Sequence, residues 1–120
     1  MFKKLETSTS EILVLEASGE VTTDDYTNVL IPEMQKLVDS NGNIRCVISF
    51  DDTFTNVTFG AMVEDGLFGM KNITNFEKIS ILGTHDWIEK FVDMAEYIAP
   101  NVIKKFESGE MQEALVWARS

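Results

Sequence analysis

The spacing of apolar and polar positions changes period several times along the chain, and each change marks an element. Residues 2–7 suit a short edge strand, and residues 11–18 (Glu-Ile-Leu-Val-Leu-Glu-Ala-Ser) are β-rich and punctuated by Gly19. With only Ser8-Thr9-Ser10 between them, the two read as a hairpin. The spacing then turns helical, with Tyr26, Val29, Leu30, Leu37 and Val38 recurring on one side. Thr22 or Thr23 can cap this helix through its hydroxyl, and Asp24 and Asp25 suit its positive start. Pro32 inside the pattern predicts a kink or a two-piece helix near Ile31, and Asn41-Gly42 is a stop signal.

Residues 44–50 (Ile-Arg-Cys-Val-Ile-Ser-Phe) form a nearly continuous apolar run, as in a strand covered on both faces. A loop over 51–57 leads to Thr58, which can cap a helix over 59–72. Residues 77–82 form another buried strand ended by Gly83, and Thr84 is placed to cap a helix over 85–98. On that helix Trp87, Ile88, Phe91, Val92, Ala95 and Ile98 share a face. A short strand at 102–106 and a helix at 110–119 close the chain. The order β-β-α-β-α-β-α-β-α predicts an α/β fold in one domain over residues 1–120. It has a mainly parallel mixed sheet of about five strands, an antiparallel N-terminal hairpin and about four helices.

Charge narrows the partners. Twenty acidic residues against ten basic ones leave a net −10. That balance excludes nucleic acid, which needs clustered Lys and Arg, and opposes simple electrostatic docking on an anionic leaflet. The single cysteine, Cys46, sits in an apolar strand and reads as a small buried hydrophobe. The chain start has no apolar core of signal-peptide length, and no window approaches the ~18 apolar residues of a membrane span. The expectation is a cytoplasmic protein, with peripheral membrane docking left open.

The residues offer little chemistry. One histidine, His85, leaves no second imidazole for a metal site and no local nucleophile–base–acid order. Asp51-Asp52 follows a central strand, where open α/β sheets bind ligands, yet nothing nearby completes a cation or phospho-acceptor site. Gly60, Gly66 and Gly69 lack the spacing of a phosphate-binding loop. The chain is therefore expected to have no catalytic residues, no metal and no cofactor.

Residues 50–76 stand out instead. They hold Phe50, Phe54, Phe59, Phe68 and Phe76, five of the eight phenylalanines, together with Met62 and Met70. On the 59–72 helix, positions 59, 62, 63, 67 and 70 form one apolar face, while Ala61 and Phe68 lie away from it. Each interior glycine costs a helix about 0.5–1 kcal/mol relative to Ala. This weak, apolar helix is either a core element packed closely through its glycines, or a mobile lid or interfacial element exposing Phe and Met. Thr53, Thr55 and Thr58 precede or cap it and are candidate phosphorylation sites, although hydroxyls there also serve as caps.

Residues matching one family are spread from end to end. They include Gly19, Val21-Thr22, Asp24-Asp25-Tyr26, Leu30-Ile31-Pro32, Phe50-Asp51-Asp52, Gly60-Ala61, Glu64-Asp65 and Phe68-Gly69. Glu77-Lys78-Ile79, Gly83, Trp87, Glu113-Ala114-Leu115 and Trp117 continue the match. On these the chain resembles the small stand-alone SpoIIAA-like (STAS-like) domains. The resemblance implies a mixed sheet flanked by helices, a relation to the lipid-binding CRAL-TRIO fold, and non-enzymatic roles. Some members are anti-anti-sigma factors switched by phosphorylation of a serine at the helix after the central strand. This chain departs there: Phe50-Asp51-Asp52-Thr53-Phe54-Thr55 replaces the usual Asp-x-Ser-Gly neighbourhood.

The leading expectation is a binding module for an apolar, lipid-like ligand or membrane surface, with the 59–72 helix opening over a pocket. Phe54, Phe59, Met62, Val63, Leu67 and Phe68 would supply its wall or lid, and Trp87 a smaller part. The alternative is a protein–protein regulatory domain of the anti-sigma-factor-antagonist kind. Exposed Phe and Met also leave a homodimer open.

Overall fold

The structure, a computed structural model, describes residues 1–72 and 74–120 apart from the side chains of Phe59, Met70 and Ile98. Its main sheet has five strands in the order β1 (Phe2–Lys4), β2 (Leu13–Ala17), β4 (Ile44–Phe50), β6 (Phe76–Leu82) and β7 (Ile103–Phe106). β1 runs antiparallel to β2, and the other neighbours are parallel. Two very short strands, β3 (Glu20–Val21) and β5 (Asn56–Val57), form a separate parallel pair. Both outer strands carry two lysines, Lys3 and Lys4 on β1 and Lys104 and Lys105 on β7.

The first helical segment has three parts: α1 (Thr23–Asp25), a π-helical turn (Tyr26–Leu30) and α2 (Ile31–Asn41). Thr22 and Asp25 form a reciprocal cap. Thr22 N–H donates to Asp25 Oδ2 at 2.8 Å, and Asp25 N–H donates to Thr22 Oγ1 at 3.4 Å. Pro32 lies in the first turn of α2 and has no N–H to donate back to the preceding turn, where the helical backbone runs on through a π turn. The predicted two-piece helix near Ile31 is thus realised as a π turn followed by a fresh α-helix. Gly42, at φ 76°, supplies the left-handed cap that ends α2.

α3 (Phe59–Asn72), α4 (Asp86–Ile98) and α5 (Met111–Arg119) complete the fold. Each step from β2 to β4, β6 and β7 moves to the next parallel neighbour in one direction, so right-handed crossovers place the connecting helices on one face. That face buries Leu13, Leu15, Cys46, Ile48, Ile81 and Ile103 beneath Tyr26, Leu30, Met34, Leu37 and Ile88. The opposite face is covered by α5, whose Ala114, Leu115 and Ala118 pack on Ile12, Val14, Val47, Leu82 and Phe106. Two polar side chains fix α5 there. The fully buried Ser80 hydroxyl donates to Ala114 O at 2.9 Å, and Arg45 donates to Ala118 O at 2.8 Å. Burial pushes the Cys46 thiol up to about 12, so it remains a thiol in the core.

The boundaries differ from the sequence expectation in several places, and β2 is shorter than the expected 11–18. β1 ends at Lys4 rather than residue 7, because the chain turns where Ser8 N–H bonds Leu5 O. The loop over 51–57 contains β5, since Thr58 N–H bonds Val21 O and draws Asn56–Val57 alongside β3. Small one-residue shifts affect the 77–82 strand, the 102–106 strand and the last helix. Finally, His85 rather than Thr84 occupies the N-cap of α4, with no side-chain cap bond.

Two glycines have opposite surroundings. A Cβ on Gly83 would meet Ile88 Cδ1 at 2.7 Å and Phe50 Cβ at 3.4 Å, so its bare backbone lets α4 close onto β4. Around Gly66, on α3, nothing lies within 4 Å of a Cβ. Gly83→Ala is expected to lower unfolding stability by about 1–3 kcal/mol through overpacking. Gly66→Ala is expected to raise it by about 0.5–1 kcal/mol. Chemical denaturation of the two variants checks both signs.

Glu33 on α2 accepts from Lys4 Nζ at 3.0 Å and from Lys36 Nζ at 3.3 Å. The Lys4 bond is the main reason its carboxyl is held below the ordinary range, against a smaller opposing effect of burial. A depressed carboxyl contributes stability that is present above its unfolded pKa of about 4.3 and is lost as pH falls through the lower folded value. Thermal unfolding from pH 7 to pH 3 should therefore show an acid-side loss that is shallower in Glu33→Gln.

Candidate functional site

At the carboxyl ends of β2, β4 and β6, the chain after Phe50 is tied down by short polar contacts. Asp51 Oδ1 accepts from Thr53 N–H at 2.9 Å and from the Thr53 hydroxyl at 2.7 Å. Thr53 Oγ1 in turn accepts from Gly19 N–H at 3.2 Å, and Thr55 N–H donates to Gly19 O at 2.9 Å. This stitching turns Phe54 inward, where it is only 5% exposed. Phe54, expected as part of a ligand wall, is buried, with its backbone anchored on both sides.

Phe54 is the centre of an aromatic cluster. Its ring lies 4.9 Å from Phe50, 5.3 Å from His85 and 5.7 Å from Trp87 between centroids. Trp87 also meets Phe50 edge-on at 5.2 Å and Phe91 at 6.2 Å. His85 is half-buried, and its Nε2 lies 3.1 Å from Asp51 O. A carbonyl only accepts, so Nε2 carries the proton in this contact. The cluster joins the loop before α3 to the start of α4, so both helices leave the same end of the sheet side by side.

α3 turns Met62, Val63 and Leu67 outward. Its inward side is Ala61 and Asn72, both buried, with Phe68 half-buried and stacked edge-on against Phe76 at 6.2 Å. Asn72 Nδ2 donates to Phe68 O at 3.1 Å. Gly60 lets α3 approach Thr23, whose hydroxyl occupies the place a Cβ would take. The Tyr26 hydroxyl faces the Asp65 carboxyl. Asp65 keeps part of its surface in water, yet crowding by protein atoms holds its carboxyl above the ordinary range despite the Tyr26 hydrogen bond. Burial, reinforced by the Asp65 charge, raises the Tyr26 phenol.

Met62, Val63 and Leu67, three expected site residues, are exposed, with Leu67 at 60%. Phe68 lines the inner edge, Trp87 is partly exposed, and the Phe59 side chain lies outside the described residues. α4 adds a second exposed row that the sequence reading did not assign to the site: Phe91, Met94 at 65% and Tyr97 at 89%. Trp87, Phe91 and Met94 follow an i, i+4, i+7 spacing beside the inward Ile88, Val92 and Ala95. That doubled stripe was the available signal. Between the helices, Phe76 and Ile79 on β6 remain only partly buried although β6 is an interior strand. Phe68, Val92 and Ala95 stand above them, also partly buried. β6 is thus incompletely covered by α3 and α4.

Other chemistry is sparse. Among the described residues no three His, Cys, Asp or Glu side chains converge to hold a metal. Two clefts of about 210 and 320 Å³ lie at the opposite, amino-terminal ends of the parallel strands. The first is lined by residues such as Lys4, Ser10, Glu33 and Lys36, the second by Glu11, Asn41, Asn43, Arg45 and Arg119. The three candidate hydroxyls differ. Thr53 is engaged with Asp51, Thr55 donates to Asn56 Oδ1 at 2.9 Å, and Thr58 caps α3 by accepting from Ala61 N–H at 3.2 Å. Among the described residues no helix is long and apolar enough to cross a membrane.

Known structures share this arrangement. A protein of the DUF3478 family from Shewanella loihica PV-4, described as uncharacterised and as having a SpoIIAA-like fold, superposes with a TM-score of 0.73. The two are 20% identical over 98% of this chain and 90% of that one. The anti-sigma factor antagonist SpoIIAA in its unphosphorylated form superposes at 0.53, with 10% identity over 97% of this chain and 94% of that one. No curated protein matches the sequence significantly. The family model described as SpoIIAA-like matches residues 12–119. That match runs from the start of β2 to the end of α5, and the chain belongs to the SpoIIAA-like family.

Proposed function

We propose that this domain is a non-enzymatic regulatory module that binds a partner protein through the α3–α4 face. The observation that carries this reading is the uncovered apolar surface of Met62, Val63, Leu67, Phe91, Met94 and Tyr97 on two adjacent helices. Contiguous exposed apolar surface of this kind marks an interaction site. The likeness to an anti-sigma factor antagonist supports a protein as occupant.

An apolar small molecule or a membrane surface would use the same side chains. Charge weighs against the membrane. α3 and α4 carry Glu64, Asp65, Asp86, Glu89, Asp93 and Glu96 against Lys71 and Lys90. An anionic leaflet repels such a face, whereas a protein can supply complementary charge.

A phosphorylation switch is the second reading, and Thr58 is the hydroxyl that suits it. Thr58 sits at the amino end of α3, whose first turn holds no acidic residue, so a phosphate there meets free N–H groups and the positive end of the dipole. A phosphate on Thr53 would instead face the Asp51 carboxylate.

A photocrosslinking amino acid placed at Leu67 or Met94 should give one discrete protein adduct in the native cell, and none when placed at Lys36 on α2. Adducts of lipid mass, or adducts only with a second copy of this chain, would overturn the partner-protein reading. Intact-mass analysis of the protein from the same cells tests the switch, which requires one added phosphate that maps to Thr58.

A further inference from the structure

We infer that the cleft between the α2–β4 turn and the end of α5 binds the phosphate group of a small phosphate monoester. It lies at the opposite end of the sheet from the residues after Phe50, and it does not depend on the partner-protein reading.

Two arginines single this cleft out. The chain has eight lysines but only two arginines, Arg45 and Arg119, and both line the same cleft of about 320 Å³. Small-ligand sites begin at about 300 Å³. Arg45 lies on β4 and Arg119 ends α5, so elements far apart in the sequence bring the two guanidiniums to one place.

The donors are held and uncommitted in useful proportion. Arg45 is 20% exposed, and its Nη1 donates to Ala118 O at 2.8 Å, which fixes the plane of the guanidinium. Glu77 stands 3.8 Å from Arg45 Nη2, beyond hydrogen-bond reach, and does not line the cleft. Arg119 is exposed, and among the described residues its side chain makes no ion pair or hydrogen bond. Asn41 and Asn43 line the side formed by the turn. Asn41 Nδ2 donates to Ser10 O at 2.9 Å, while the Asn43 amide has no side-chain partner among the described residues.

Charge and direction select the ligand. Glu11 is the one carboxylate of the lining, so two guanidiniums against it leave a local excess of positive charge in a chain at −10. In the other cleft both cations, Lys4 and Lys36, are already paired with Glu33. A guanidinium fork offers parallel N–H donors to an oxyanion. A planar carboxylate is satisfied by one such fork, whereas the three terminal oxygens of a phosphate monoester accept from several directions. Guanidiniums from β4 and α5 and an amide from the turn approach from three elements, which suits the tetrahedral dianion.

Arginine Nε–H signals in ¹H–¹⁵N NMR spectra of the full chain read the cleft directly, since two arginines give two signals. The probe is glycerol 3-phosphate at about pH 8, where the monoester is dianionic. Both signals should shift together and saturate with one Kd below about 5 mM. Inorganic phosphate should bind at least ~3-fold more weakly, because it lacks the organic body that fills the rest of the cleft. Succinate at the same concentrations should leave both signals in place. Arg119→Gln alters an exposed position, with thermal unfolding as the check on folding, and should weaken glycerol 3-phosphate ~10-fold as read at Arg45. Lys36→Gln removes the same charge from the other cleft and should leave the Kd unchanged. Signals that stay still, shifts that do not saturate by about 20 mM, or an equal loss in Lys36→Gln overturn the inference. Inorganic phosphate binding as tightly as the ester overturns the monoester assignment, and succinate binding as tightly overturns phosphate as the ligand group.

Discussion

Parallel pairing of β2, β4, β6 and β7 governs the rest of this molecule. A parallel neighbour is reached only by crossing back over the sheet, and the crossing has one hand. Three such crossings in the same direction put the α1–α2 segment, α3 and α4 on one face. The opposite face is left to α5. One face is therefore crowded and the other thinly covered. The Ser80 and Arg45 bonds to α5 carbonyls secure that single cover. On the crowded face the helices do not close over everything. α3 leans on α1 and the π turn, α4 leans on β7, and β6 is left partly open between them.

Most of the fold was legible in the residues. The continuous apolar runs at 44–50 and 77–82, the Thr22–Asp25 cap, the Gly42 stop and the limits of α3 all have local causes: burial on both faces, a side-chain acceptor, a left-handed backbone and helical spacing. β3 and β5 were not legible, because two-residue strands have no period to read and depend on the contact between Thr58 and Val21. The cap of α4 was misplaced for a similar reason. His85 is turned toward Asp51 and Phe54, residues more than thirty positions earlier in the chain.

The site was legible in its residues but not in its orientation. The spacing of 62, 63 and 67 marks an apolar face, and such a face is ordinarily turned to the core. Here the small residues Gly60 and Ala61 face the body, because only a short side chain fits where α3 meets Thr23. Met62, Val63 and Leu67 are left to solvent. Periodicity reports that two sides of a helix differ, while the side that meets the protein is decided by what the neighbouring element leaves room for. Phe54 shows the converse: nothing in the spacing of a loop phenylalanine says which way it points, and the Asp51–Thr53–Gly19 contacts fix its direction.

The lysine pairs on the two outer strands give this surface its context. Lys3 and Lys4 sit on β1, and Lys104 and Lys105 on β7. Lys4 is held by Glu33 and Lys105 by Glu89 and Glu107. Charged edges discourage one sheet from zipping onto another. A protein that leaves apolar side chains exposed on its helices tolerates that hazard more safely when its strands are closed to strangers. Solubility and recognition are thus divided between different parts of the same small body. Among the described residues, Lys105 alone of the four lysines forms an ion pair with the α3–α4 side, at Glu89, so the exposed apolar side chains can change with little effect on the guard at the edges.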